Sequence, residues 1–141
     1  MPQKYSWEGH VVQTLGGGKQ NQHDSLCEEL LRERAAVLSR AGFAVEDALE
    51  KLLTIDRQIE EKIQVWRSRR IDLARPEDLQ DQQPIFDEIN GIINQFNAAR
   101  HKAEMQFYYL IVTREALGLR RHETVQQIYR IPPKKKKMQA I

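Results

Sequence analysis

The sequence predicts an all-α protein: a helical bundle of three main helices, the first two an antiparallel hairpin, with a long third helix and a short C-terminal one. Apolar residues recur at helical spacing over most of the 141 residues, and 30% of all residues are charged. With 7 Gly and 5 Pro, the chain has too few turn residues for a β-sandwich or a disordered protein. Its length suits a single domain.

Residues 1 to 23 are interpreted as a flexible N-terminal arm and linker, because they lack a helical period and include Gly16 to Gly18. Tyr5 and Trp7 lie on one side of an extended arm, where they suit a groove on a protein partner. The alternative, which we favour, is a mobile terminus whose Trp7 rests on the nearest apolar surface.

The first predicted helix begins at Ser25, because Ser25 and Glu28 have the spacing of a capping box. Its apolar residues recur at three- and four-residue spacing and are Leu26, Leu30, Leu31, Val37, Leu38 and Ala41. Gly42 is expected to end the helix, and a short turn at Gly42 to Ala44 folds the next helix back beside it.

A second helix is predicted from about Val45 to Arg70. It carries an apolar seam with seven-residue spacing, formed by Val45, Leu52, Ile59 and Trp66. Such a seam suits a coiled-coil partner, and it suits equally the packing of this helix against other helices of the same chain. We favour packing within the chain. The polar residues 71 to 83 then form a loop.

A third helix is predicted from Pro84 to Gly118, roughly 52 Å if unbroken. The pair Asn90 and Gly91 is a turn signal, but the apolar register passes through it without a change of phase, so we expect at most a kink. A line of polar residues on this helix is either a solvated face or a hydrogen-bonding seam against a partner. It consists of Asn90, Asn94, Asn97, His101 and Glu104.

Charge is distributed unevenly along the chain. Residues 1 to 119 carry 15 Lys or Arg against 19 Asp or Glu, and residues 120 to 141 carry 7 against 1, which gives −4 and +6. We assign one helical domain to residues 24 to 131 and a basic tail to residues 132 to 141. Electrostatic attraction to nucleic acid therefore rests on the C-terminal end.

The segment from Arg114 to Tyr129 has the outline of a helix-turn-helix, with Gly118 in the turn. The nucleic-acid contacts would then be Arg120, Arg121, Gln127, Arg130, Lys134, Lys135, Lys136 and Lys137. The alternative is a clasp, a short helix at about Glu123 to Arg130 that folds over the end of the bundle. Its inward side chains are Val125, Ile128 and Tyr129. We favour the clasp, because Arg114 stands where two closely packed helices need a small residue.

The sequence offers no convergent acid, base and nucleophile, so we predict neither an enzyme nor a cofactor or metal site. Cys27 lies on an apolar helix face, where a small buried thiol is ordinary. His101 and Glu104 reverse the Glu-x-x-His order of di-iron bundles and occur once. Gly16 to Gly18 lack the following Ser or Thr of a phosphate-binding loop.

The predicted third helix is longer than the first, which leaves part of its apolar stripe without a partner in the chain. Exposed apolar stripes of that size usually pair with another chain. We therefore predict a non-enzymatic interaction or assembly protein that forms a homodimer. The predicted interface residues are Ile89, Ile92, Ile93, Phe96, Phe107 and Tyr108.

The expected location is the cytoplasm, with no membrane partner. No stretch reaches the roughly 18 uncharged apolar residues of a membrane span. Residues 1 to 25 lack the pattern of a signal peptide, and the single cysteine cannot form an intrachain disulfide.

Two stretches of the chain carry a resemblance to a known family. One is Glu33 to Leu49, ERAAVLSRAGFAVEDAL, and the other is Arg114 to Pro132, which contains REALGL followed by His122, Val125 and Tyr129. Together they resemble an uncharacterised family of short bacterial all-helical proteins. The resemblance implies a small all-α domain with no known reaction and no catalytic residues to carry over. The run from Lys134 to Lys137 is not part of the family pattern.

Overall fold

The structure, a computed structural model, describes residues 11–72 and 82–139, and side chains within 18–69 and 82–139. Within these ranges the chain forms three helices and no strand. They are α1 (Val11–Asp72), α2 (Gln83–Ala116) and α3 (Glu123–Ile128). The all-α prediction is confirmed. Tyr5 and Trp7 of the predicted arm lie outside the described residues.

α1 is one helix of 62 residues, where the sequence predicts an arm, a helix, a turn and a second helix. It continues through residues 11 to 23 and through the predicted turn at Gly42 to Ala44, so the predicted hairpin of the first two helices does not form. An interior glycine costs a helix only about 1 kcal/mol relative to alanine. A Cβ added at Gly42 would lie 3.5 Å from the Oη of Tyr129, an ordinary contact distance.

The chain divides into two compact units, Met1–Ser39 and Arg40–Ile141. The described part of the first unit is the N-terminal part of α1 and contains no other element. Three of its leucines, Leu26, Leu30 and Leu31, are 59%, 55% and 64% exposed. The second unit contains the buried core. The apolar periodicity of α1 is therefore matched by burial only in the second unit.

The main core cluster of the second unit joins α1 to α2. Its buried members are Ala48, Leu52 and Ile59 from α1 with Ile89, Ile93, Phe96 and Ala103 from α2. A smaller cluster contains Val45, Leu110 and Val125, one from each helix. The heptad seam of the sequence thus packs within the chain, as predicted.

Both ends of α2 are held by specific contacts. At its start, the indole Nε1 of Trp66 donates to Oε1 of Gln82 at 3.1 Å, and the ring of Trp66 lies 5.4 Å from that of Phe86. At its end, Gly118 has a φ of 89°, which favours glycine, and its amide donates to the carbonyl of Glu115. The helix passes through Asn90 and Gly91 without interruption.

α3 has six residues and closes the end of the second unit, as the clasp interpretation predicts. Val125 is buried in the smaller cluster, and Tyr129 packs against it. Ile128, expected to face inward, is instead 65% exposed. Arg114 ties the preceding connection to α2, because its Nη2 donates to the carbonyl of Arg121 at 2.9 Å.

Candidate functional site: the groove that holds the C-terminal segment

Residues 131–139, here called the C-terminal segment, have no regular secondary structure but are bound along their length. Ile131 and Met138 pack against the main core cluster. The sequence predicts a basic tail outside the helical domain, whereas the structure joins this segment to α2 by hydrogen bonds and to α1 by an ion pair. We call the residues that hold it the segment groove: Asp56, Asn90, Phe96, Asn97 and Arg100.

Two asparagines of α2 each bind both backbone groups of one segment residue. Asn97 donates from Nδ2 to the carbonyl of Lys135 at 3.1 Å and accepts the amide of Lys135 at Oδ1, 3.0 Å away. Asn90 binds Met138 in the same way, at 2.9 Å to the carbonyl and 2.7 Å from the amide. Each side-chain amide therefore satisfies a backbone amide much as a neighbouring β-strand does.

The spacing of these contacts is similar on the helix and on the segment. Asn90 and Asn97 are seven residues apart, about 10.5 Å along an α-helix. Lys135 and Met138 are three residues apart, which spans at most about 10 Å in an extended chain. The half-buried residues of the segment are Ile131, Pro132, Lys135 and Met138, and the last three of them follow one another at intervals of three.

Arg100 binds the start of the segment. Its Nε donates to the carbonyl oxygen of Pro132 at 2.7 Å, and its Nη1 lies 3.0 Å from Oε1 of Glu104. The ion pair holds the guanidinium in position to reach the carbonyl. A contact to a carbonyl suits this part of the segment, because Pro132 and Pro133 have no backbone N–H to donate.

Of the four consecutive lysines, Lys135 is the one whose side chain enters the groove. Its Nζ lies 2.7 Å from Oδ1 of Asp56 and 5.0 Å from the centroid of the Phe96 ring. The side chain of Lys135 is 29% exposed, while Lys134, Lys136 and Lys137 are exposed. A carboxylate and an aromatic face together favour a cation at this position.

Tyr129 anchors the chain just before the segment. Its Oη donates to Oε2 of Glu46 on α1 at 2.5 Å. This hydrogen bond, then partial burial and then the negative charge of Glu46 raise the pKa of Tyr129 above its ordinary value of 10.0. The contact fixes where the chain leaves α3 and so directs residue 131 toward α2.

The residues predicted to contact nucleic acid fall into two groups. Most are exposed in the second unit: Arg120, Arg121, Gln127, Arg130, Lys134, Lys136 and Lys137. Lys135 differs, since it is half-buried against Asp56. The short α3 is also packed through Val125 rather than presented as a free recognition helix.

The residues predicted to form a homodimer interface lie mostly inside the chain's own core. Ile89, Ile93 and Phe96 are 0%, 3% and 2% exposed because they pack against α1. Ile92 and Phe107 are half-buried at the edges of the two clusters, and Tyr108 is 59% exposed. The interface prediction rested on a short first helix opposite α2, whereas the continuous α1 covers these residues.

The residues considered for chemistry are Cys27, His101 and Glu104. Cys27, expected to be buried, is exposed, with its Sγ 3.6 Å from Nε2 of His23. His101 is exposed, and Glu104 is engaged by Arg100. Within the described residues, no three His, Cys, Asp or Glu side chains are grouped so that they could hold a metal ion.

The line of asparagines on α2 can be recognised in the sequence, but the residues that these asparagines bind cannot. Asn90 and Asn97 lie seven residues apart on one helix face, and a hydrogen-bonding seam is one of the two interpretations that the sequence allows. The missing information is that the seam binds the same chain, at Lys135 and Met138. Asparagine is a poor helix former, so two of them at this spacing are a usable signal.

Comparison of the chain with protein-family models, curated proteins and solved structures found no match. Among the described residues, no helix combines the length and the apolar character that crossing a bilayer requires.

Proposed function

We propose that this protein is a non-enzymatic helical interaction protein that assembles as a homodimer through the first unit. The observation that carries the proposal is the exposure of Leu26, Leu30 and Leu31, each more than half exposed on α1. Contiguous exposed leucines on a helix are unfavourable in water and favour a partner helix. The proposed interface is therefore on α1, because the apolar face of α2 is buried within the chain.

A second copy of the chain suits this surface because its heptad pattern continues that of the core. Leu31 and Leu38 precede Val45 and Leu52 at the same seven-residue spacing. The intrachain seam buries Val45 and Leu52 against α2, and the described part of the first unit has no second helix to do the same for Leu31. A seam of this spacing pairs well with another α-helix.

Charge along the same stretch also suits self-association. Residues 24 to 29 carry Asp24, Glu28 and Glu29, whereas residues 32 to 40 carry three arginines and one glutamate. In an antiparallel pair of identical helices, the acidic end of one lies beside the basic end of the other, an arrangement that two-fold symmetry repeats on both sides.

The test is the molecular mass in solution at micromolar concentration, measured by sedimentation equilibrium. We expect the wild-type chain to have the mass of two chains and the double variant Leu30→Glu, Leu31→Glu to have the mass of one, because charges in an apolar seam separate the helices. Val65→Glu is the matched control, since Val65 is 49% exposed in the second unit. A wild-type chain that is strictly monomeric contradicts the proposal.

A second candidate function is nucleic-acid binding by the C-terminal cations. It is favoured by the exposure of Lys134, Lys136 and Lys137 on a chain whose remaining residues are net acidic. Retention on duplex DNA at rising salt tests it, with Lys134, Lys136 and Lys137 together replaced by Gln. Arg67→Gln with Arg69→Gln is the control for lost charge on exposed residues. Retention that is unchanged in the lysine variant excludes this function.

A further inference from the structure

We propose that the segment groove is a binding site for extended, lysine-bearing peptides of other proteins, and that the C-terminal segment is its intramolecular occupant. The ligand defined by the contacts is a stretch with proline, lysine and an apolar residue at successive intervals of three, as in Pro132, Lys135 and Met138. The segment has no regular secondary structure, and its two prolines reduce the conformational entropy that an extended peptide loses on binding.

The hydrogen bonds from α2 depend on the backbone of the ligand and not on its sequence. Five of them join Asn90, Asn97 and Arg100 to the segment, and each ends on a backbone atom of Pro132, Lys135 or Met138. Any chain in the same conformation offers the same amides and carbonyls at the same spacing. The groove is therefore chemically equipped to bind a peptide that is not attached to it.

Selectivity comes from the lysine side chain. Asp56 and the ring of Phe96 lie on α1 and α2 respectively, and Lys135 bridges them. A neutral or acidic side chain at this position loses the ion pair and leaves the carboxylate without its cation. The partner is thus a basic peptide, in keeping with the acidic charge of the helical part of the chain.

Apolar side chains line the space beside the segment. A cavity of about 540 Å³ lies along it, lined by Leu49, Leu52 and Leu53 of α1 and by Pro132 and Pro133. A bound peptide therefore has apolar surface to contact in addition to the backbone hydrogen bonds and the ion pair.

The attached segment competes with any free peptide, because a short connection gives it a high effective concentration, on the order of millimolar. The test accordingly uses the full chain with its own segment weakened. Lys135→Glu places a carboxylate beside Asp56 and favours release of the segment, and Lys135→Gln is a second release variant without the added charge. Circular dichroism establishes that both remain helical.

The probe is a synthetic peptide of residues 130 to 139 with an N-terminal fluorophore, followed by fluorescence anisotropy. We expect saturable binding to both release variants, at least about tenfold tighter than to the wild-type chain, whose groove is already filled. Replacing the lysine equivalent to Lys135 by Ala in the peptide is expected to abolish this binding. Replacing the lysine equivalent to Lys136 leaves it intact, since that side chain is exposed.

Matched substitutions in the groove complete the test. Asn97→Ala in the Lys135→Glu chain is expected to abolish peptide binding, whereas Asn94→Ala, at an exposed position three residues away, leaves it unchanged. Three results would overturn the proposal: no saturable binding to either helical release variant, equal binding to wild-type and release variants, or binding that persists after Asn97→Ala.

Discussion

Asn97 shows how one polar side chain on a helix holds a residue of a segment that has no regular secondary structure. It sits within a helix, where asparagine has no intrinsic advantage, and uses both atoms of its amide on the backbone of Lys135. Asn94, one turn earlier on the same helix, is exposed. Both positions carry asparagine inside the same helix. Comparing substitutions at the two positions therefore separates the contribution of the hydrogen bonds from that of helix propensity.

We expect Asn97→Ala to lower the free energy of unfolding by about 1–3 kcal/mol, because two hydrogen bonds of about 0.5–1.5 kcal/mol each are lost. Asn94→Ala is expected to change it by no more than about 0.5 kcal/mol. Urea unfolding measures both values, and hydrogen exchange of the Lys135 amide should accelerate only in the Asn97 variant. Equal effects of the two substitutions would show that the segment is not held by Asn97.

Tyr129 makes stability depend on pH in the alkaline range. Its pKa is raised in the folded chain by the hydrogen bond to Glu46, so an unfolded tyrosine with its ordinary pKa of 10.0 ionises first. The stabilisation from this contact is therefore complete below pH 10 and is lost as the pH rises through the folded pKa.

The free-energy difference between wild type and Tyr129→Phe, measured by urea unfolding between about pH 8 and pH 11, is expected to favour the wild type and to shrink above about pH 10. The remaining tyrosines cancel in this difference, because both chains contain them. A difference that stays constant over the whole range would refute the linkage.

At the scale of elements, three glycines lie in three different surroundings. A Cβ added at Gly91 would have nothing within 4 Å, one added at Gly42 would have the Oη of Tyr129 at the ordinary contact distance of 3.5 Å, and Gly118 has a φ of +89°. The first two lie inside helices, where glycine is disfavoured, and the third follows the end of one. Glycine is thus unfavourable at the first two positions and favourable at the third.

We expect Gly91→Ala to raise the free energy of unfolding by about 0.5–1 kcal/mol through helix propensity. Gly42→Ala should act in the same direction, since 3.5 Å is an ordinary van der Waals distance, while Gly42→Leu should destabilise by displacing Tyr129. Gly118→Ala should destabilise, because alanine at a positive φ is strained. Thermal unfolding of the four variants measures the order, and a destabilising Gly91→Ala would contradict it.

Element boundaries are predictable from the sequence where local chemistry decides them. Pro84 in the first turn of α2 and Gly118 beyond its end lie where the sequence places them. The predicted turn at Gly42 does not form, because one interior glycine costs a helix only about 1 kcal/mol, and Ala41 and Val45 on either side of it pack against α2 and α3. Sequence spacing alone does not show this packing, since the contacting residues Leu110 and Val125 lie far along the chain.

At the scale of the whole molecule, buried apolar residues are concentrated in the second unit. Burial also differs within that unit: Phe96 is 2% exposed in the main cluster, whereas Phe43, on the part of α1 in the same unit, is 62% exposed. Both are phenylalanines in helices, so they form a matched pair for measuring what burial contributes.

Phe96→Ala is expected to lower the free energy of unfolding by about 3–5 kcal/mol, the usual cost of removing a buried aromatic side chain and leaving a cavity. It also removes the ring beside Lys135 and so should loosen the C-terminal segment. Phe43→Ala should change stability by less than about 1 kcal/mol, because alanine is the better helix former. Urea unfolding provides the comparison, and similar losses for both variants would mean that the main cluster is not the source of stability.

The sequence by itself determined the helical class, the end of α2 and the seam of Val45, Leu52 and Ile59, because helix propensity, caps and apolar periodicity are local properties. It also showed that the positive charge belongs to the C-terminal end. Only the tertiary structure decided which surfaces those features meet. A heptad seam does not specify which helix it packs against. The hydrogen bonds of Asn97 end on backbone atoms of Lys135, so they produce no recognisable side-chain pattern in residues 131–139. For that reason the sequence predicts only a basic tail, whereas the structure places residues 131–139 in the segment groove.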